Sequence, residues 1–174
     1  MFFIESERLR LIPLTHQQLQ LLHTDRATFE LSIGLNTSAM QVDELYQHEI
    51  DDAMMNFWLP KTLKHTEQYL WYTSWEIVLK STNTIIGGMG FGGEPNENSE
   101  VETGYMIDGN HHNKGYATEA LKTIMQWAFT HEAVKAIIIR TYADNLPSRR
   151  LLVKCGFEQV DDVDGLLTHK LMKL

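Results

Sequence analysis

The period of the hydrophobic positions changes along this chain, and each change predicts a different element of secondary structure. Short apolar or alternating runs predict seven strands, in segments 8–14, 75–79, 84–91, 101–107, 136–142, 157–163 and 166–174. Apolar residues at three- and four-residue spacing predict helices through the twenties and in segments 42–55, 63–72, 117–128 and 145–155. This order of elements predicts an α/β fold with a mostly antiparallel sheet flanked by helices.

Capping and turn residues support these boundaries. Thr15 and Gln18 have the spacing of a capping box at the start of the first helix. Asn145 suits the cap of the last helix, and Gly156 suits the left-handed position just past its end. The dipeptide Asp164-Gly165 predicts a hairpin between the final two strands.

The helical insert between residues 29 and 72 is acidic. Its segment 59–63, Leu-Pro-Lys-Thr-Leu, predicts a break between two helices. Segment 41–60 has no Lys or Arg but contains five acids, which are Asp43, Glu44, Glu49, Asp51 and Asp52. Two interpretations stay open, because a solvated helix face and a rim that attracts cationic amines would both look like this.

Composition narrows the class of protein. The 174 residues, 43% hydrophobic and 22% charged, suit one globular domain spanning 1–174. The single cysteine, Cys155, excludes an internal disulfide and a cysteine-based metal cage. The N-terminus becomes charged at Glu5, and no apolar run approaches the roughly 20 residues that cross a bilayer, so we expect a cytoplasmic protein without a membrane partner. The net charge of −8 argues against nucleic acid as a direct partner.

Segment 110–120, Asn-His-His-Asn-Lys-Gly-Tyr-Ala-Thr-Glu-Ala, is the main candidate for a binding site. It follows a predicted strand, contains one glycine, Gly115, and leads into a clearly periodic helix. The first turn of a helix leaves four N–H groups without partners and carries partial positive charge. The sequence therefore predicts a phosphate site at this helix N-terminus.

Two segments carry a resemblance to a known family. Segment 105–121, Tyr-Met-Ile-Asp-Gly-Asn-His-His-Asn-Lys-Gly-Tyr-Ala-Thr-Glu-Ala-Leu, resembles the acetyl-CoA loop of the GNAT acetyltransferases. Segment 145–157, Asn-Leu-Pro-Ser-Arg-Arg-Leu-Leu-Val-Lys-Cys-Gly-Phe, resembles the signature that follows it in that superfamily. The most similar branch comprises the ribosomal-protein N-terminal acetyltransferases and their relatives. The resemblance implies a GNAT-like sheet of about seven strands, splayed between its fourth and fifth strands, 101–107 and 136–142.

The resemblance also implies acetyl-CoA as co-substrate and direct transfer of the acetyl group to an amine, either a protein N-terminus or a small molecule. Homodimers are common in the branch. The implied cofactor-binding residues are Met106 or Ile107 on the thioester carbonyl, the loop residues His112, Asn113, Lys114, Gly115, Tyr116, Ala117 and Thr118, and Asn145 with Ser148 on the next helix. His112 departs from the Arg or Gln of the family pattern, and Asn113 stands where a glycine is common. We expect the site to survive both changes, because backbone N–H groups from 113 to 118 would do most of the pyrophosphate binding.

For catalysis, the resemblance implies Glu102 as the base, acting directly or through water. A half-buried carboxylate on that strand would have a raised pKa, and a structural acid is the alternative. Many relatives protonate the departing thiolate with a tyrosine four residues before the glycine of the Gly-Phe pair, where this chain has Leu152. Ser148 is the natural substitute, although its hydroxyl also suits helix capping, and Tyr142 is a weaker candidate.

Three functional hypotheses stay open. The first is an N-acetyltransferase acting on a protein N-terminus or a small amine. The second is a polyamine or aminoglycoside-type acetyltransferase, which the acidic insert favours. The third is a non-catalytic acyl-CoA-binding module, suggested by the departures at His112, Asn113 and Leu152. We expect no metal, since His65, His111 and His112 fit no known zinc spacing, and we expect an inert thiol at Cys155.

Overall fold

The sheet contains every strand that the hydrophobic pattern predicts, and one more. The computed structural model describes all residues, 1–174. The strands are β1 (Ile4–Glu5), β2 (Leu9–Pro13), β3 (Ser74–Leu79), β4 (Thr84–Phe91), β5 (Glu100–Ile107), β6 (Ala136–Tyr142), β7 (Glu158–Val163) and β8 (Leu166–Met172). They form one eight-stranded sheet in the order β1-β2-β3-β4-β5-β6-β8-β7, in which only the β5–β6 pair is parallel. The predicted α/β fold is confirmed, and the added strand is β1, which is too short to show alternation.

Six α-helices flank the sheet: α1 (His16–Thr24), α2 (Arg26–Ser32), α3 (Glu44–Ala53), α4 (Leu59–Lys64), α5 (Tyr116–Phe129) and α6 (Leu146–Lys154). Thr15 and Gln18 form the predicted capping box on α1. Asn145 caps α6, and Gly156 takes the left-handed conformation past its end. The predicted hairpin between β7 and β8 is also present, with both residues of its Asp164-Gly165 turn at positive φ.

The helical insert differs from its prediction in two places. The predicted break at 59–63 is wrong, because a turn of π-helix, Met54–Trp58, carries the chain from α3 straight into α4. Pro60 is tolerated in the first turn of α4, since the π turn before it already departs from α-helical hydrogen bonding. The predicted helix over 63–72 is also wrong, and only a 3₁₀ turn, Tyr69–Trp71, lies there beyond the end of α4.

Apolar clusters on both faces hold the sheet between two helical layers. The larger cluster lies between the sheet and α5 and includes Trp75, Ile124 and Ile137. The smaller cluster lies on the other face, where Ile12 and Phe29 pack between the sheet and helices α1 and α2. Close packing on both sides fixes the strand backbones, which is what a site built on strand ends requires.

β5 and β6 pair only where they begin. Residues Glu100–Glu102 lie opposite Ala136–Ile138, and no pairing continues beyond them. β5 then stays bonded to β4 as far as Ile107, while β6 stays bonded to β8 as far as Tyr142. The two strands therefore separate toward their C-terminal ends and open a cleft in the middle of the sheet. The predicted splay between these strands is confirmed.

Candidate active site

The loop after β5 turns the chain from the sheet into α5. A 3₁₀ turn, Gly109–His111, follows the strand. Asn113 and Gly115 then take left-handed φ values of 60° and 81°. Glycine and asparagine adopt this conformation more readily than other residues, so the sequence permits the turn at low steric cost. Tyr116 can therefore begin a helix directly beside the end of β5.

The N-terminus of α5 lacks a side-chain cap. Helices α1, α2, α3 and α6 each have one, supplied by Thr15, Asp25, Asp43 and Asn145. α5 has Gly115 at this position instead. The amides that consequently donate no hydrogen bond within the chain are those of Gly115, Tyr116, Ala117 and Thr118. Four free N–H groups at the positive end of a helix dipole suit an anion, and phosphate as that anion stays a prediction.

Arg8 places a permanent positive charge beside this loop. Its Nη1 donates to the carbonyl of Lys114 at 3.0 Å, and its guanidinium lies 4.6 Å from the centroid of the Tyr116 ring. Its Nε forms an ion pair with Glu119 Oε2 at 2.6 Å. Burial would raise the pKa of Glu119, but hydrogen bonds from Ser6 and Arg8 outweigh burial and lower it. The sequence pattern does not single out Arg8, because it lies 106 residues before Lys114.

Two side chains of the loop bind the loop itself. Nε2 of His112 donates to the carbonyl of Ile107 at 2.7 Å, and this nitrogen must carry a proton because a carbonyl only accepts. Nζ of Lys114 donates to the carbonyl of Asn110 at 3.0 Å. These contacts fasten the loop to the end of β5. Because both side chains are engaged in this way, the backbone amides are the main groups left to contact an anion, as expected from the family resemblance.

Asp108 joins the helical insert to the loop. Its buried carboxylate accepts from the amides of Gln41 and Asn110 at 2.8 and 3.2 Å, and from His111 Nδ1 at 3.0 Å. The Gly109 amide donates in return to the Gln41 carbonyl at 3.0 Å. Burial would raise the pKa of Asp108, but these hydrogen bonds outweigh burial and lower it. The segment leading into α3 and the loop are thus held as one unit.

We expect Asp108→Asn to lower the free energy of unfolding by about 1–3 kcal/mol at neutral pH, because the hydrogen bonds to a buried charge weaken. The folded-state pKa of Asp108 lies below its unfolded value. This stabilisation is therefore present above the unfolded pKa and is lost as pH falls through the folded pKa. Urea unfolding of both proteins at neutral and acidic pH measures the difference. The control is Asp144→Asn, an exposed carboxylate; equal losses in the two variants would contradict the role of Asp108.

Along β5, successive backbone amides point alternately toward β4 and toward the cleft. The Asp108 amide, just beyond the strand, donates to the Ile86 carbonyl on β4 at 2.8 Å. Because antiparallel strand residues alternate, the amide of Met106 also faces β4, whereas that of Ile107 faces the cleft. Of the two residues expected to polarise a thioester carbonyl, Ile107 is the one with a suitably directed amide.

Glu102 lies where β5 and β6 begin to separate. Its side chain is 44% exposed, and its Oε2 contacts Nη1 of Arg140 on β6 at 2.6 Å. The half-buried environment expected from the sequence is therefore not found. The ion pair is what the structural alternative predicts, while the second carboxylate oxygen has no partner and leaves the base role open.

The α6 wall brings together an asparagine, a serine and two tyrosines. Oδ1 of Asn145 accepts from the Ser148 amide at 3.2 Å, and Nδ2 donates to the hydroxyl of Tyr46 on α3 at 3.2 Å. Oγ of Ser148 lies 3.1 Å from the hydroxyl of Tyr105 on β5. The alternative role of Ser148 as a helix cap is wrong, because Asn145 is the cap. Leu152 is fully buried in the main core and offers no polar group to the cleft.

No local sequence pattern identifies Tyr46 or Tyr105 as residues of the cleft. Tyr46 meets Asn145 from 99 residues away, and Tyr105 meets Ser148 from 43 residues away. A signal for Tyr105 does exist, because it lies two residues before Ile107 and so shares its face of β5. No local pattern indicates that α3 reaches the cleft.

Two other candidate residues, Tyr142 and Cys155, are placed by the geometry. Tyr142 is 55% exposed at the end of β6. Burial raises the pKa of the Cys155 thiol, which disfavours the reactive thiolate at neutral pH.

No group of three or more His, Cys, Asp or Glu side chains is arranged to hold a metal ion. None of the helices combines the length and apolar character needed to cross a membrane.

The molecule thus combines a helix N-terminus suited to an anion with an adjoining cleft that carries hydroxyl and carboxylate groups, an arrangement suited to transfer from a phosphate-bearing donor. Residues 8–158 match the acetyltransferase (GNAT) domain family, and the chain belongs to this family. It is 42% identical over 99 residues to the uncharacterized N-acetyltransferase YjdG of Bacillus subtilis, covering 57% of this chain and 54% of that protein. The chain spans about half the length of the curated relatives it matches.

Solved structures share the fold. RimL, a ribosomal L7/L12 α-N-protein acetyltransferase in complex with coenzyme A, superposes with a TM-score of 0.65 at 16% identity, covering 98% of both chains. A chimera of the spermidine N-acetyltransferase SpeG from Vibrio cholerae and hSSAT superposes with a TM-score of 0.63 at 18% identity, covering 95% of this chain and 96% of that chain. At these identities the likeness shows the fold alone.

Proposed function

We propose that this protein transfers the acetyl group of acetyl-CoA to an amine, by direct attack of the amine on the thioester in a ternary complex. The observation that carries the proposal is the uncapped N-terminus of α5 beside the splay of β5 and β6, in a chain of the GNAT family. The free amides suit the pyrophosphate of CoA, and the cleft suits its extended pantetheine arm. The CoA complex of RimL, which has the same fold, supports the choice of donor.

Each chemical step has a candidate group in the cleft. The amine must lose a proton in order to attack, and the Glu102 carboxylate accepts it directly or through a water molecule. The Ile107 amide donates to the thioester carbonyl oxygen, where negative charge develops. As the C–S bond breaks, the Ser148 hydroxyl donates a proton to the departing sulfur. The products are the N-acetylated amine and free CoA thiol.

The acceptor that we propose is a protein N-terminus or a small amine. α3 lies beside the cleft, because its Tyr46 bonds to Asn145 at the start of α6. α3 exposes four carboxylates and carries no Lys or Arg, so the negative electrostatic potential around it attracts cations. RimL is named for a protein N-terminus and SpeG for spermidine, and both acceptors are amines. A polyamine or aminoglycoside is the second candidate, favoured by the acidic α3.

Calorimetry with acetyl-CoA, followed by a thiol-release assay over a panel of amines, tests this function. The panel contains peptides with free N-termini, polyamines and aminoglycosides. We expect acetyl-CoA to bind and thiol release to depend on one of these classes. Tight binding without turnover on any amine would exclude the enzyme and support an acyl-CoA-binding module, whereas absence of binding would contradict the site itself.

We also propose a cytoplasmic location. The only cysteine, Cys155, is unpaired, which suits a reducing compartment. A homodimer stays a prediction of the family resemblance. Size-exclusion chromatography with light scattering measures it, since the molar mass distinguishes one chain from two.

A further inference from the structure

Tyr105 and Ser148 meet between the β5 wall and the α6 wall of the cleft. Their hydroxyl oxygens are 3.1 Å apart, and neither side chain makes another hydrogen bond within the chain. The Tyr105 ring packs against the main apolar core. The contact with Ser148 on α6 places the Tyr105 hydroxyl between β5 and α6, beside the strand whose Ile107 amide we propose to bind the thioester.

Either hydroxyl can donate in this hydrogen bond, and we assign the phenol of Tyr105 as the donor. Tyr105 is partly buried and Ser148 Oγ is the one partner of its hydroxyl, so donating to Ser148 satisfies a phenolic O–H that has no other acceptor within the chain. Burial raises the pKa of Tyr105, so the phenol keeps its proton at neutral pH and above. Ser148 then accepts from Tyr105, and its own proton is free to point into the cleft.

The surroundings hold Ser148 in this role. A serine in the first turn of a helix often bonds to nearby backbone groups, but the Ser148 hydroxyl makes no such bond. Its amide is instead held by Asn145, which also bonds to Tyr46. The hydroxyl is thus kept away from the helix backbone and aligned with Tyr105.

We propose that Tyr105 is a positioning residue that supplies, through Ser148, the proton received by the departing CoA thiolate. This inference rests on the proposed function, because it assumes acetyl transfer with Ser148 beside the sulfur. As the C–S bond breaks, the Ser148 proton passes to sulfur and the Tyr105 proton passes to Ser148 Oγ. Solvent reprotonates Tyr105 after CoA leaves, which restores the protons of both hydroxyl groups for the next turnover. A serine hydroxyl alone is a weak acid, so coupling to a phenol makes its donation feasible without the tyrosine that Leu152 replaces.

The variant Tyr105→Phe removes the hydroxyl and keeps the ring. We expect kcat to fall about tenfold, the effect of one hydrogen bond to the reacting group, with the Kd for acetyl-CoA unchanged. Ser148→Ala should lower kcat by about 10²-fold, as for loss of a general acid. The double variant should lose no more than Ser148→Ala, because Tyr105 acts only through Ser148. Tyr69→Phe is the matched control: burial also raises the pKa of Tyr69.

Full activity of Tyr105→Phe, or additive losses in the double variant, would overturn the proposal. A wild-type protein that releases no thiol with any amine would remove the proposed function and this role with it, which is a distinguishable result. If Tyr105→Phe does not fold, 3-fluorotyrosine replaces Tyr105 with nearly the same shape and a lower phenol pKa. Because the proposal requires a protonated phenol, kcat should fall at high pH, and in the 3-fluorotyrosine protein this fall should begin at lower pH than in the wild type. An unshifted pH profile would equally overturn the proposal.

Discussion

Gly115→Val should weaken acetyl-CoA binding by about 100-fold, the loss of two charge-assisted hydrogen bonds at roughly 1.5 kcal/mol each. Gly115 has a φ of 81° and is the first of the four residues with free amides at the start of α5. A β-branched residue avoids this conformation, so the loop must rearrange and its amides no longer converge. Crowding is not the cause, because an added Cβ meets only the flexible end of Arg8, at 3.4 Å.

The control Gly165→Val separates phosphate binding from backbone strain. Gly165 has a φ of 82° in the β7–β8 turn, and an added Cβ there meets nothing within 4 Å. Each variant should lose about 1–2 kcal/mol of unfolding free energy, measured with urea, because each forces a side chain into the left-handed region. Only Gly115→Val should lose affinity in calorimetry. Equal affinities in the two variants would contradict an anion site at α5.

Glu102→Gln should lower kcat by about 10²- to 10³-fold at neutral pH, because the amide cannot accept the proton that the amine must lose. The affinity for acetyl-CoA should not change, since the proposed anion site lies at α5 and not at Glu102. Steady-state thiol release gives kcat, and calorimetry gives the Kd for acetyl-CoA. Unchanged turnover would remove Glu102 from the base role.

Two further variants separate a base from a structural acid. Glu100→Gln is the matched control, because Glu100 lies on the same strand and pairs with Lys170 as Glu102 pairs with Arg140. Hydrogen bonding to Lys170 lowers the pKa of Glu100 against the effect of burial, so it too is a paired carboxylate. Arg140→Gln breaks the Glu102 ion pair and keeps the carboxylate. If Arg140→Gln lowers kcat as much as Glu102→Gln does, the ion pair is what matters and the base role is wrong.

Most of the fold is predictable from the sequence because its signals are local. The apolar run Ile137–Ile139 indicates a strand covered on both faces, and all three residues are buried. Caps and turns act over two to four residues, so Thr15 and Asp164-Gly165 identify their turns reliably. The insert is different, because no local rule predicts the π turn Met54–Trp58 or the burial of Trp71, which packs against Trp127 on α5.

The candidate site likewise has one part that local sequence signals predict and another that depends on long-range contacts. The left-handed residues Asn113 and Gly115 precede a periodic helix, so the sequence alone predicts the proposed anion site. The contacts of Arg8, Tyr46 and Tyr105 depend on how distant segments come together, which periodicity does not reveal. The ion pair between Glu102 and Arg140 depends in the same way on two distant strands, since it joins β5 to β6 across 38 residues of sequence.

A crystal structure of the protein with CoA bound tests the central proposal most directly. We expect the pyrophosphate oxygens to lie within hydrogen-bonding distance of the amides of Gly115–Thr118. We expect the pantetheine arm to run between β5 and β6, with its sulfur beside Ser148 and the Ile107 amide. A pyrophosphate bound away from the start of α5, or a sulfur outside the cleft, would contradict the proposed site and its chemistry.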